Sequence, residues 1–151
     1  MDNNIRPAKI EDTSRIAEME IFNYRLSFYH LFLDDWFYFD ELRVIPMAKK
    51  YADNLAGVYV YDDGAVKGFV KVDGKEIKKL FVEPVLQSKG IGKKLLNYVV
   101  QNHNADFLWA FEKNERAIAF YERNGFHITK ERKLEDGSDT YYLVKMRKNG
   151  G

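Results

Sequence analysis

Cysteine is absent from these 151 residues. Its absence excludes disulfides, thiolate metal ligands and a cysteine-based acyl-enzyme. Histidine is scarce, and His30, His103 and His127 are too scattered for metal-ligand spacing, so no metal is expected. Neither sign of charge is in excess: 24 basic against 23 acidic residues leave a net charge of +1. Such a balance supplies no global field toward nucleic acid or an anionic membrane. There is no long apolar run and no N-terminal signal pattern, so a soluble, cytoplasmic chain without a membrane partner is expected. Only three prolines occur, and no repeat or low-complexity linker divides the chain. A single domain over residues 1–151 is the expectation. Aromatic residues, in contrast, are plentiful at 15%, which suits a well-filled core or an aromatic-lined pocket.

The periodicity changes along the chain. Residues 5–7 read as a short edge strand, and Asp12 as the N-cap of a helix reaching about residue 29. A second helix is expected over about 37–51, with its break near Pro46. Three strand-like runs follow at 57–61, 66–72 and 76–82, joined by Asp63-Gly64 and Asp73-Gly74. Asp-Gly between such runs signals hairpins, so these three strands should be antiparallel neighbours. Residues 90–103 are helical, with Ile91, Leu95, Leu96, Val99 and Val100 on one face. A strand at 106–111, a helix at 114–124 closed by Asn124-Gly125, and a hairpin of 126–133 with 140–147 around Asp136-Gly137 complete the chain. Residues 148–151 read as a frayed tail.

The most informative stretch is 80–96, where an apolar strand reaches Pro84, then a short loop, Gly90, Gly92, two lysines and a helix. Strand, glycine loop, helix builds an anion cradle. Glycines let backbone amides approach the ligand, and the helix N-terminus carries about half a positive charge. A phosphate or pyrophosphate ligand follows. The nucleoside-triphosphate P-loop pattern fails at Gln87 and Lys94, and the dinucleotide fingerprint fails at Leu95.

Gln87-Ser88-Lys89-Gly90-Ile91-Gly92 fits a third pattern, Gln/Arg-x-x-Gly-x-Gly/Ala, at each fixed position. Downstream, residues 108–126 give a strand, an asparagine, a helix with Ala and Phe120-Tyr121-Glu122, then Gly125-Phe126. With both blocks in order, the chain resembles the GNAT acetyltransferase superfamily over about 55–147, and only generally over 1–54. The resemblance implies a mixed α/β (α+β) fold, the acyl-CoA N-acyltransferase fold. Its central sheet is mostly antiparallel and flanked by helices, and its two central strands, here 76–82 and 106–111, splay apart. The clean alternation of a half-exposed strand is missing at Ile77, Leu80, Phe81 and Val82, which suits an irregularity there and equally a strand buried on both faces.

Acetyl transfer to an amine needs a held thioester, a neutral amine, a donor for the oxyanion and a proton for the thiolate. The resemblance implies acetyl-CoA as co-substrate. Backbone groups of Ser88, Lys89, Gly90, Ile91, Gly92 and Lys93 would meet its pyrophosphate, with Gln87 opening the loop. Leu80, Phe81 and Val82 would pair with the pantetheine arm as an added strand. Asn114 occupies a cofactor-contacting position and also suits a helix N-cap. Tyr121 matches the family's thiolate-protonating tyrosine, although it could simply pack its helix. Glu76 matches a catalytic glutamate of the histone-acetyltransferase branch; Glu112 and ordered water are the alternatives for the base. Direct attack in a ternary complex is the mechanism implied.

The acceptor is expected to be a small-molecule primary amine. A protein N-terminus or lysine is the alternative, and a non-catalytic CoA-binding domain the alternative of another class. A homodimer is left open. Residues 28–41 combine aromatics with Asp34, Asp35, Asp40 and Glu41. They could hold a cationic amine, but two helices burying aromatics with acids facing water is the favoured reading.

Overall fold

The computed structural model describes residues 4–135, 137–138 and 140–150. Among these residues seven strands hydrogen-bond in the order β1-β2-β3-β4-β5-β7-β6, and four α-helices accompany them. The strands are β1 (Ile5–Pro7), β2 (Val58–Asp62), β3 (Val66–Asp73), β4 (Glu76–Val82), β5 (Phe107–Phe111), β6 (Phe126–Leu134) and β7 (Tyr142–Lys148). The helices are α1 (Thr13–Phe32), α2 (Val44–Asp53), α3 (Ile91–His103) and α4 (Glu115–Arg123). Pairing is antiparallel for β1–β2, β2–β3, β5–β7 and β6–β7, and parallel for β4–β5, where Glu76 faces Phe107 and Ile77 faces Leu108. This is the mixed, mostly antiparallel sheet expected. The backbone divides into two compact units, one of residues up to Lys71 with Lys79–Tyr98, the other of Val72–Lys78 with residues from Val99 on.

In the first unit α1, α2 and the strands share a core of Ile16, Met19, Tyr51, Val58, Val60 and Phe69, with Phe81 packed against it. Spacings of three and four put Ile16, Met19, Glu20 and Asn23 on one stripe of α1, and all four are buried. Two of these are polar, and each reaches β4 or its exit. The Glu20 carboxylate receives Lys79 Nζ at 2.8 and 3.0 Å and the Tyr51 hydroxyl. Arg15 extends the series, donating to Val66 O at 2.6 Å and Glu83 Oε2 at 3.1 Å.

Two expectations in this unit need correction. Asp12 precedes α1 but makes no side-chain cap. Its carboxylate instead accepts from Lys9 N at 2.8 Å and from both terminal nitrogens of Arg6, at 2.7 and 3.1 Å. The Arg6 guanidinium holds the Asp12 carboxyl below the usual range. The second helix is broken at Leu42 and Arg43, both extended, and not at Pro46. A π-helical turn, Trp36–Glu41, precedes the break. Pro46 lies in the first turn of α2, where its missing N–H costs no helical bond.

In the second unit β5 alternates cleanly. Leu108 and Ala110 are buried, as are their partners Met146 and Val144. Phe107 and Trp109 face the other way under basic stems, with Lys145 Nζ 4.6 Å from the Phe107 ring and Lys133 Nζ 4.4 Å from the Trp109 ring. The β6–β7 register shifts between Ile128 and Arg132. Asp136 lies outside the described residues; Gly137 beside it has a left-handed φ of 77°. The frayed tail is overturned at its start. Lys148 N donates to Asp106 O at 2.8 Å and Asn149 N to Gly125 O at 2.7 Å. Gly151 lies outside the described residues.

Candidate functional site

In the first unit β4 leaves the sheet at Glu83, whose amide still donates to Lys67 O of β3 at 2.9 Å. A 3₁₀ turn over Pro84–Leu86 then carries the chain to Gln87. Ser88 and Gly90 both have positive φ, 69° and 88°. Glycine suits the second position, and a serine held in the left-handed region is the less common choice. A Cβ built on Gly90 would meet nothing within 4 Å, so the space on that side of the loop is open to a ligand. The first turn of α3 closes with Lys94 N donating to Gly90 O at 3.1 Å. The amides of Ile91, Gly92 and Lys93 therefore precede the first helical donor, Lys94 N, and have no bond within the helix. Lys89 and Lys93 are exposed beside them. Open space, first-turn amides and lysines fit a phosphate or pyrophosphate group.

The approach of α3 to the sheet depends on Gly68 of β3. A Cβ there would stand 3.0 Å from Leu95 Cδ1 and 3.1 Å from both Ile91 Cγ2 and Phe81 O. The carbonyl of Phe81 thus lies against β3, as does the amide of Glu83. By ladder alternation the amides and carbonyls of Leu80 and Val82 face away from β3. Of the three residues expected to pair with a ligand strand, the backbone of Leu80 and Val82 faces away from β3 and the carbonyl of Phe81 faces it. The Phe81 ring packs instead on Tyr24 and Phe69, with centroids at 5.4 and 5.6 Å.

Gln87 brings in a residue that sequence reasoning missed. Its Nε2 donates to Asn23 Oδ1 at 2.8 Å, and Asn23 Nδ2 donates to Val82 O at 3.0 Å. The available signal was an asparagine on the apolar stripe of α1. Glu20, missed as well, carries the same signal.

The aromatic segment departs from the favoured reading. Tyr38 is buried, but Trp36 is 63% exposed and Phe37 and Phe39 are exposed too. Arg25 spans this segment, donating to Tyr38 O at 3.0 Å with its guanidinium 5.2 Å from the Phe39 ring. Asp34, Asp35, Asp40 and Glu41 are exposed. Asp34 Oδ1 accepts from Phe37 N at 3.0 Å, and Asp35 accepts from the Tyr29 hydroxyl.

The second unit holds the remaining candidates. Asn114 caps α4, its Oδ1 accepting from Ala117 N at 3.2 Å. Tyr121 is buried on α4 between Phe120 and Phe126, with ring centroids at 5.2 and 5.9 Å. Burial pushes its phenol well above the ordinary tyrosine range. Among the described residues its hydroxyl makes no hydrogen bond. Glu76 is half-buried, 3.5 Å from Lys78 Nζ. Glu112 is exposed and bound by Arg132 through two nitrogens at 2.8 and 3.2 Å. Glu112 is thus held by a two-point clamp, whereas Glu76 has a single looser contact. Among the described residues no group of histidine, aspartate and glutamate could hold a metal, and no helix is long and apolar enough to cross a membrane.

Residues 54–128 match the family model described as an acetyltransferase (GNAT) domain. The chain is 38% identical over 86 residues to the peptidyl-lysine N-acetyltransferase YiaC of Escherichia coli K12, covering 56% of this chain and 59% of that protein. It is 31% identical over 99 residues to the spermine/spermidine N(1)-acetyltransferase of Bacillus subtilis 168, covering 57% and 61%. The chain thus spans about three-fifths of the length of these relatives. Among solved structures, apo YjaB from Escherichia coli matches with a TM-score of 0.74 at 21% identity, over 100% of both chains. The PaiA N-acetyltransferase of Thermoplasma acidophilum, solved with coenzyme A, matches with a TM-score of 0.70 at 19% identity, over 97% and 99%. Likeness at such identities is likeness of fold.

Proposed function

The chain belongs to the GNAT superfamily, and on that premise we propose that it is an acetyl-CoA-dependent N-acetyltransferase acting on a primary amine. The observation that carries this reading is the loop before α3. Its left-handed Ser88 and Gly90 and the first-turn amides of residues 91–93 make a cradle for a pyrophosphate. The PaiA structure was solved with coenzyme A, and the same ligand suits this loop. Residues 88–93 hold the pyrophosphate, and the backbone of Leu80 and Val82 takes the pantetheine as an added strand. Acetyl-CoA supplies the thioester.

The chain's own groups do the rest. The Val82 amide, facing away from β3, donates to the carbonyl oxygen as it gains charge. Tyr121, kept protonated by burial, gives its proton to the departing sulfur. Glu76 takes a proton from the amine. Asn114 caps α4 and contacts the cofactor as well. With no cysteine in the chain, a thiol relay is excluded and the amine attacks directly.

A small cationic amine is the first acceptor class. The similarity to a spermine/spermidine acetyltransferase and the exposed acids at 34, 35, 40 and 41 support it. Similarity to a peptidyl-lysine acetyltransferase favours a second reading, lysine within a peptide. For that reading exposed Trp36 and Phe39 add apolar contact area. Release of free CoA, measured against polyamines, free amino acids and lysine peptides, tests both. Turnover with polyamines alone supports the first, and turnover with peptides alone supports the second. CoA binding without transfer to any acceptor overturns the enzymatic reading. Absence of binding overturns the cradle.

A further inference from the structure

We propose that Asn23 is a positioning residue for the loop that opens at Gln87, an inference that rests on the reading of that loop as the acetyl-CoA cradle. Asn23 is 4% exposed on α1. Its Nδ2 donates to Met19 O at 2.7 Å, within the helix, and to Val82 O at 3.0 Å, at the end of β4. Its Oδ1 accepts from Gln87 Nε2 at 2.8 Å. The orientation of this carboxamide is not arbitrary. Two carbonyls can only accept, so the NH₂ group must face them. Oδ1 is thereby turned toward position 87, and the residue there must offer an N–H. Glutamine does so, and arginine would; glutamate would not.

One buried side chain therefore fixes two things. It occupies the Val82 carbonyl, which otherwise faces away from β3, and so leaves Leu80 and the Val82 amide as the ligand edge. It also anchors the first residue of the loop. Between the two anchors Glu83 is held by Lys67 O through its amide and by Arg15 through its carboxylate. The segment 82–87 is pinned at both ends and once inside, all within the first unit. A loop held this way presents its amides already aimed, and the ligand need not order it on binding. Without Asn23 that ordering is charged to the ligand's affinity, and a buried donor or acceptor is left unmade at each end.

Amide hydrogen exchange over residues 83–94 of the free protein reads the tether directly. Asn23→Leu removes both loop bonds at nearly constant volume, and Gln87→Glu sets acceptor against acceptor. Both should exchange faster than wild type, while Gln87→Arg, which keeps a donor, should stay close to it. In calorimetric titration with CoA, Asn23→Leu should raise Kd about tenfold. The double variant Asn23→Leu/Gln87→Leu should be no weaker than Asn23→Leu alone, because Gln87 acts through its bond to Asn23, which that variant has already lost. A residue of merely structural importance would lower Tm and leave the exchange of this segment and the CoA Kd alone. Unchanged exchange and Kd in folded Asn23→Leu, or additive losses in the double variant, overturn the proposal. Should Asn23→Leu not fold, equal exchange in Gln87→Arg and Gln87→Glu overturns it. Wild-type protein that does not bind CoA refutes the cradle reading, and the exchange comparison still decides whether Asn23 holds the loop.

Discussion

Replacing Lys79 with methionine should destabilise this protein more than replacing the residue it pairs with. Glu20 is 2% exposed and has two donors, Lys79 Nζ at 2.8 and 3.0 Å and the Tyr51 hydroxyl. Lys79→Met leaves the carboxylate buried with the phenol alone. Loss of one partner of a buried pair costs about 3–5 kcal/mol. The Lys79 side chain is 29% exposed, so solvent screens the pair and the lower end, about 3 kcal/mol, applies. For a chain of this length that is roughly 6–12 °C in Tm. Glu20→Gln is milder, about 1–2 kcal/mol, because the ammonium can turn to water and the amide can still bond Tyr51. The double variant buries no charge and should lie within about 1.5 kcal/mol of wild type, a coupling of about 2 kcal/mol or more. Urea unfolding followed by far-UV circular dichroism measures all four proteins. A Lys79→Met loss below about 1 kcal/mol, or a double variant equal to the sum of the singles, would refute the claim that the buried carboxylate sets the cost.

Gly68→Ala should cost about 1–3 kcal/mol in urea unfolding, because its Cβ would press on Phe81 O and on Leu95 and Ile91; a stability within error of wild type would show that α3 has room to shift. Tyr121→Phe should lower turnover at least several-fold with CoA affinity nearly unchanged, since it deletes only a hydroxyl. The phenol's raised pKa also means that wild-type rates should not fall between about pH 8 and 9.5 through its ionisation; equal turnover of the two proteins would remove it from the reaction. Asp12→Asn should cost about 1–3 kcal/mol at pH 7 by weakening the Arg6 fork. The folded pKa of Asp12 lies below its unfolded value of 3.8. The stability it contributes is therefore complete above that value and lost as pH falls through the folded pKa, so wild type and variant should converge toward acid; a gap that is constant with pH contradicts this linkage.

What could be read along the chain is what neighbours in sequence decide. Gly64, Gly74 and Gly125 have φ of 117°, 59° and 92° at the turns marked by Asp-Gly and Asn-Gly, because a tight reversal needs a backbone that glycine adopts cheaply. The apolar period of 91–100 placed α3 to within a residue, and Ile91, Leu95, Leu96 and Val99 are buried as that period requires. The second helix misled because proline draws attention wherever it stands, yet in a first turn it removes a bond the helix lacks anyway. Leu42 and Arg43, where the chain does break, carry no breaker chemistry, and a π-helical turn has no local signature.

The site divides along the same line. The left-handed φ of Gly90 and the start of α3 beside it were legible because backbone conformation and helix start are local properties. Asn23 and Glu20 were not, since each is explained by a partner 59 or 64 residues away, at Lys79, Val82 and Gln87. A polar residue on an apolar stripe announces that some partner exists, because an unpaired one would cost too much to bury. It does not say which. Three side chains of α1, Arg15, Glu20 and Asn23, answer with one strand and its exit: Glu83, Lys79, and Val82 with Gln87. The glycine pattern of the loop is local, and the side chain that ties its opening residue to the end of β4 comes from a helix some 60 residues earlier.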